Sequence, residues 1–504
     1  MLSPRTPRPS IARRAGAVAV AMLLSVVPTV PAIAAQPSQP AAVAANLADF
    51  DFMVGTLRAN YAGWDTKVGK AHEAELAALT ARLRARAAAA PDDETLLAVM
   101  SQWVGYFHDR HTGLGLGPAA KTATGPDTPM RPVRTEAEIV RDLAAEGSRR
   151  DPLEGIWLAS GGRYRLAVTR GRAPGSFEAV VLSAASSNWS PGQVKAELSR
   201  GADGGYQARY RMGDHSPRAG RGRLIAAGAG FDLGGEIGLW RRVWPSPSAA
   251  DVEAIDHEAP SEEMFLKRLS PTTLWLRLPD FGDDRAAPLA ALLKAHAAEI
   301  DAAPNLIIDE RANGGGSDYV YGPILPLIYT RPIYTIGIEL RAGPDNMRLR
   351  HEVAERIKAE HPDQAQMLEG QIRLMAQHPG GYIQPDPLPF GVTTFPTVRP
   401  YPKRVAVLID GAGSTGEQFL LDLRQSRKVT LFGQTNSAGV LDFANVVAMP
   451  SPSGRFVMQW ATSRSLRLPD DPVDPNGLAP DIRIPADVED PVSYARAWLE
   501  RQVD

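Results

Sequence analysis

The segment best suited to chemistry is an apolar strand that meets glycines and then a serine, Val405-Ala-Val-Leu-Ile-Asp-Gly-Ala-Gly-Ser-Thr-Gly-Glu-Gln-Phe419. Glycines at 411 and 413 allow a sharp turn. Ser414 then stands at the start of a helix whose buried face carries Phe419, Leu420 and Leu423. In that position a hydroxyl lies beside unpaired backbone N–H groups and the positive end of the helix dipole, which can stabilise the oxyanion formed when a serine attacks a carbonyl. The same letters also spell a capping box. In Ser414-Thr-Gly-Glu417 the serine caps the helix and Glu417 reaches back to it. Read alone, the segment favours the cap.

A second strand-and-glycine segment is Asn305-Leu-Ile-Ile-Asp-Glu-Arg-Ala-Asn-Gly-Gly-Gly-Ser317, which offers another set of backbone donors. No Gly-Lys-Ser/Thr follows and the G-x-G-x-x-G spacing is absent, so nucleotide binding has little support. Asp309, Arg311 and Asn313 are candidates for supporting the site or, equally, for a structural polar network at the strand end. A third segment, Asp109-Arg-His-Thr112, ends the helical stretch just before Gly113 and holds one of nine histidines. A lone histidine is usually a polar turn or surface residue. There is no H-E-x-x-H or comparable ligand set and no cysteine, so neither a zinc site, a thiol nucleophile nor a disulfide framework is expected. No cofactor is expected either.

These segments need elements to hold them. Phe50, Val54, Leu57 and Tyr61 recur at helical spacing, as do Leu96, Leu97, Met100, Val104 and Phe107, so residues 36–120 read as a linker (Gln36 to Ala45) and a helical unit. From 150 to 246 the pattern changes to strands. Tyr164, Leu166 and Val168 alternate with polar residues, and further short strands follow between glycine-rich turns. An antiparallel barrel or sandwich fits, with Trp157, Trp189, Trp240 and Trp244 filling its core. Between 256 and 490 strands alternate with helices, the mark of a layered α/β domain, interrupted at about 347–377 by a charged helical insertion.

Fifty-five Lys plus Arg stand against 57 Asp plus Glu, a formal charge of −2, which argues against nucleic-acid binding. Arg5, Arg8, Arg13 and Arg14 precede an apolar run from Ala17 to Val30 and the small residues Pro31 to Ala35. Residues 1–35 therefore read as a signal peptide, and the mature chain is expected to be exported (periplasmic or secreted) with no stable membrane anchor.

The motifs taken in order, D-R-H-T, N-L-I-I-D-E-R-x-N-G-G-G-S, V-L-I-D-G-x-G-S-T-G-E, Gly433-Gln-Thr-Asn-Ser-Ala-Gly439 and Asn476-Gly-Leu-Ala-Pro-Asp-Ile482, resemble the tail-specific (C-terminal processing) protease and tricorn-core family of serine peptidases. The resemblance covers Leu47 to about His111 and Met264 to Pro485. It implies a β-α-β spiral core with an N-terminal helical unit. A PDZ domain often lies between them in the family. Here the Glu154 to Trp244 strand unit takes that place and lacks a PDZ carboxylate-binding loop.

One branch of the family activates its serine with a lysine in the G-x-T-x-G stretch after the nucleophile helix. Gly433 to Val440 has no lysine, and Lys428 is the last in the chain. The resemblance is therefore to the histidine-dependent branch. It implies Ser414 as nucleophile, His111 as general base and Asp474 as the acidic residue, with backbone N–H groups of Gly315 or Gly316 and of Thr415 as the oxyanion hole. The tricorn pattern has a serine directly before the histidine where this chain has Arg110, so Asp109 and Asp471 rival Asp474 as the group that orients His111. The implied function is cleavage of peptide or protein substrates through an acyl-enzyme. The alternatives are an inactive binder of peptides or apolar ligands on the same fold, or an esterase using the same serine.

Overall fold

Leu306-Ile-Ile308 and Val405-Ala-Val-Leu408 are apolar without alternation because both faces of their strands are covered. In the computed structural model of the chain they are the two middle strands of a six-stranded sheet. Its order is Phe265–Arg268, Thr273–Arg277, Asn305–Asp309, Arg404–Leu408, Val429–Gly433, Ile482–Arg483. Only the first pair is antiparallel. Parallel neighbours need crossovers. Ala286–Ala295 and Ala297–Ala302 supply the first, and Thr415–Leu423 supplies the one after Arg404–Leu408. The structure describes residues 39–120, 128–186, 188–202, 204–213, 215–235 and 237–502, and the expected signal peptide lies outside them.

The same compact unit takes in residues 39–120 and 499–502. A second sheet there runs Gly113–Leu116, Phe456–Ser465, Ile338–Arg341, Tyr382–Ile383, with Phe443–Pro450 also paired to Phe456–Ser465. Two short strands follow one another here. Ile333–Ile336 joins Phe390–Thr393, Ile338–Arg341 joins the second sheet, and Gly337 separates them. The helices Gln39–Asn60, Glu73–Ala88 and Asp93–Val104 share one apolar core with Phe443, Phe456, Met458 and Trp460 of this sheet. The expected linker is thus shorter, since the first helix already includes residues 39–45. The insertion is the helix pair Pro344–Ile357 and Pro362–Met375.

The second compact unit comprises, among the described residues, those of 128–264 and 484–498. Its eight strands, from Gly155–Ala159 to Leu239–Trp244, close into a barrel, because the first pairs with the last. Trp157, Trp189 and Trp240 fill its interior. Trp244 does not; it packs outside, against Ile139 and Leu143. Lys195 is fully buried inside, its Nζ 3.8 Å and 3.9 Å from the ring centres of Tyr164 and Trp189 and donating to the Met212 carbonyl at 3.1 Å. Aromatic faces and a carbonyl offset the desolvation of that ammonium.

Candidate active site

Ser414 precedes the first residue of the helix Thr415–Leu423, yet it does not cap it. Its backbone sits at φ 55°, ψ −122°, and its hydroxyl makes no cap hydrogen bond. A capping residue needs extended φ/ψ to aim its oxygen at the N–H groups of the first turn. Glu417, the other half of the expected capping box, instead accepts from Ser437 Oγ at 2.5 Å, Gly439 N at 2.7 Å and Val440 N at 2.8 Å. The capping reading is therefore overturned. Glu417 ties the 437–440 loop to the helix, and the Ser414 hydroxyl has no hydrogen-bond partner among the described residues.

A non-glycine residue at such a φ persists only where its surroundings over-determine it. Gly413 N donates to the Asn313 carbonyl at 2.8 Å, clamping the turn to the 313–316 loop. Gly315, at φ 92°, lies so close that a Cβ on it would sit 2.7 Å from Ser414 Cβ and 2.9 Å from Thr415 N. Only glycine fits there. The 437–439 and 475–477 loops are pinned in the same manner, since a Cβ on Gly439 would fall 2.3 Å from the Pro475 carbonyl oxygen. Ser437 N donates to the Leu478 carbonyl at 3.0 Å. Glycine motifs distant in sequence are thereby gathered around one serine.

The backbone donors differ from expectation in one respect. Gly315 N–H is committed to Asn313 Oδ1 at 2.8 Å, so it is not an open oxyanion donor. Gly316 is different. The bridge to Phe281 uses the Gly315 carbonyl and Ser317 N–H, at 2.8 Å each. This leaves the Gly316 N–H and C=O on the opposite edge. The carbonyl accepts from Thr415 Oγ1 at 2.8 Å, which sets that edge against the first turn of the helix. Among the described residues the N–H groups of Gly316 and Thr415 have no acceptor. Together they are two free donors beside Ser414.

Below this loop, Asp309, Arg311 and Asn313 form a buried network. Arg311 holds both oxygens of Asp309, at 2.9 Å and 2.8 Å, and Arg277 lies 3.5 Å away. Burial pushes the Asp309 carboxyl up, but the two guanidiniums outweigh it and hold it below the usual range. Asn313 spans from Gly315 N to the Leu278 carbonyl, at 3.1 Å. All three residues shape the loop.

Sequence reasoning missed Glu310 in the same stretch. It is fully buried, neither carboxyl oxygen has a hydrogen-bond partner among the described residues, and Oε1 lies 3.4 Å from where a Cβ on Gly416 would be. Burial, with Asp309 and Glu417 nearby, raises it well above the ordinary value despite Arg277. The folded chain therefore keeps this proton at pH values where the unfolded chain has lost it, so stability falls as pH rises beyond about 4.5. Glu310→Leu should then stabilise the fold by about 1–3 kcal/mol at pH 7, and the gain should shrink towards pH 4 in urea-unfolding series at both pH values. A gain independent of pH would contradict the buried neutral acid.

His111 follows a tight turn in which Asp109 accepts from His111 N at 2.8 Å and Thr112 Oγ1 at 3.0 Å. Asp109 thus shapes the turn and leaves the ring to another partner. That partner is the Phe443 carbonyl, 2.6 Å from Nδ1. A carbonyl can only accept, so Nδ1 carries a proton, and in the neutral ring Nε2 is the nitrogen with the lone pair. Asp474 does not reach the ring by a hydrogen bond either. Its Oδ1 accepts from Leu441 N at 2.6 Å and Asp442 N at 3.0 Å, and Asp442 Oδ2 accepts in return from Val473 N and Asp474 N. These reciprocal bonds fix the strand entrance that carries the Phe443 carbonyl. Burial, with Asp442 alongside, pushes the Asp474 carboxyl up to about 7. Asp471 is bound to Arg467 at 2.6 Å, with its side chain largely exposed. No hydrogen bond joins His111 to Ser414 among the described residues.

Residues 272–484 match the sequence model of peptidase family S41. No curated protein matches the chain. Among solved structures, mature CPAF complexed with lactacystin is 15% identical over 92% of this chain and 98% of that chain, with a TM-score of 0.49. The tricorn protease is 14% identical over 91% of this chain and 37% of that one, with a TM-score of 0.41. The photosystem II D1 C-terminal processing protease is 12% identical over 88% and 95% of the two chains, with a TM-score of 0.34.

Proposed function

Since residues 272–484 are a serine-peptidase domain of family S41, we propose that the chain is an exported endopeptidase that cleaves protein or peptide substrates through an acyl-enzyme on Ser414, with His111 as general base. The observation that carries this reading is the strained, unbonded Ser414 beside the free N–H groups of Gly316 and Thr415. A hydroxyl serving only the fold has no reason to be held that way.

His111 Nε2 takes the Ser414 proton as Oγ attacks the scissile carbonyl carbon. The carbonyl oxygen becomes an oxyanion that accepts from Gly316 N and Thr415 N. Collapse of the intermediate breaks the C–N bond, and the amine leaves with the proton from Nε2. A water then gives its proton to Nε2 while its oxygen attacks the ester, releasing the acid and returning the proton to Ser414. Nδ1–H stays on the Phe443 carbonyl throughout, and Asp474 acts by fixing that carbonyl. His111 closes onto Ser414 as substrate excludes water, since catalytic hydrogen bonds tighten in the substrate complex. Export rests on the basic and apolar N-terminal pattern. The reading is tested with a fluorophosphonate probe followed by mapping of the modified peptide. Modification of the 411–424 stretch at Ser414 supports an activated serine. A folded protein that takes up no probe and cleaves no peptide favours the binding-protein alternative.

A further inference from the structure

The residue before the general base is Arg110, and its side chain is exposed. Its Nη1 donates to the Ala438 carbonyl at 3.3 Å. Ala438 in turn lies on the nucleophile turn. Its N–H donates to the Ala412 carbonyl at 2.7 Å, and its Cβ is 3.0 Å from where a Cβ on Gly413 would be. One long contact to a neutral carbonyl thus anchors a guanidinium next to the turn that presents Ser414. That carbonyl takes one of five N–H donors.

No carboxylate neutralises this cation among the described residues. The acidic groups around it are already engaged: Asp109 in its own turn, Glu417 by the 437–440 loop, and Asp474 by Leu441 and Asp442. An unpaired guanidinium at the edge of a site that binds extended peptide matches a planar anion, because its fork geometry suits a carboxylate. We propose that Arg110 selects substrates with a carboxylate close to the scissile bond, either an acidic side chain or the free C-terminus of the peptide. This rests on the serine-peptidase reading above and adds a substrate class to it.

The test digests a peptide library derived from a whole proteome with the full chain and reads residue frequencies around every cleaved bond. For wild type, Asp and Glu should be enriched at one flanking position if a side chain supplies the carboxylate. Clustering of cuts near free C-termini, abolished by amidating them, would identify the other source. Matched fluorogenic peptides differing only as Asp against Asn, or acid against amide, then give a preference ratio for each variant, so any general loss of activity cancels. Arg110→Gln should lower that ratio by about 5- to 10-fold, Arg110→Lys should keep much of it, and Arg110→Glu should invert it in favour of basic residues. High salt should weaken the wild-type preference, because the group is exposed. Equal ratios in wild type and Arg110→Gln would overturn the proposal while leaving the peptidase intact. A wild type that neither labels with fluorophosphonate nor cleaves would remove the peptidase reading and this inference with it.

Discussion

Replacing Ser414 with alanine should abolish fluorophosphonate labelling and lower kcat/KM by about 10^4- to 10^6-fold, with the melting temperature unchanged. The second half of that result is as informative as the first. The Ser414 hydroxyl caps nothing, so its removal breaks no hydrogen bond among the described residues. Had it been the N-cap suggested by Ser-Thr-Gly-Glu, alanine would cost about 1 kcal/mol and leave chemistry intact. Paired activity and urea-unfolding measurements on one variant therefore separate the two readings, since their predicted outcomes are opposite. Ser414→Gly sharpens the contrast. At φ 55° glycine relieves backbone strain, so this variant should be as stable as wild type or more so, and equally inactive.

The ambiguity at Ser414 shows what was legible in the letters and what was not. Glycine, serine and strand-to-helix order locate a turn. Whether the serine at that turn caps or attacks depends on one dihedral, which is set by contacts with Asn313 and Gly315 about a hundred residues away in the chain. Gly315 and Gly316 read alike as donors, but a single side chain, Asn313, takes one of them. The Phe443 carbonyl that holds His111 has no signature, because every residue has a carbonyl. Asp474 was visible as an acid near the C-terminus. Its use on Leu441 and Asp442 depends on two loops meeting back to back through Gly439 and Gly477.

The same division holds for the fold. The central strands were plain because Leu306-Ile-Ile308 and Val405-Ala-Val-Leu408 carry unbroken apolar runs. The hairpin Phe443–Pro450 with Phe456–Ser465 was missed although it carries the carbonyl for His111. Its first strand is mostly half-buried on both faces and shows no clean alternation. Strands of the second unit were readable from alternation near Tyr164, whereas barrel against sandwich turns on pairing between Gly155–Ala159 and Leu239–Trp244, at opposite ends of the unit.

His111→Ala should reduce kcat/KM by about 10^4- to 10^6-fold, close to the loss from Ser414→Ala, because nucleophile and base act as one unit. The double variant should be no worse than either single one. Folding should suffer little, since the ring contributes one hydrogen bond, to the Phe443 carbonyl, worth about 1 kcal/mol. Added imidazole is the stringent control. A free imidazole entering the vacated space can accept the Ser414 proton, so it should restore part of the labelling in His111→Ala and none in Ser414→Ala. A histidine that merely braced the 443 strand would give no such rescue. Asp474→Asn should behave differently from both. Its amide oxygen can still accept from Leu441 and Asp442, so the Phe443 carbonyl stays in place and the loss of activity is far smaller. Its effect should appear in pH dependence instead. With the folded value raised to about 7, the protonated carboxyl favours the native state below about pH 4, and that contribution is lost as pH rises through 7. Asp474→Asn should therefore flatten this part of the stability profile in unfolding curves between those limits. An asparagine variant as inactive as His111→Ala would instead make Asp474 a direct partner of the imidazole.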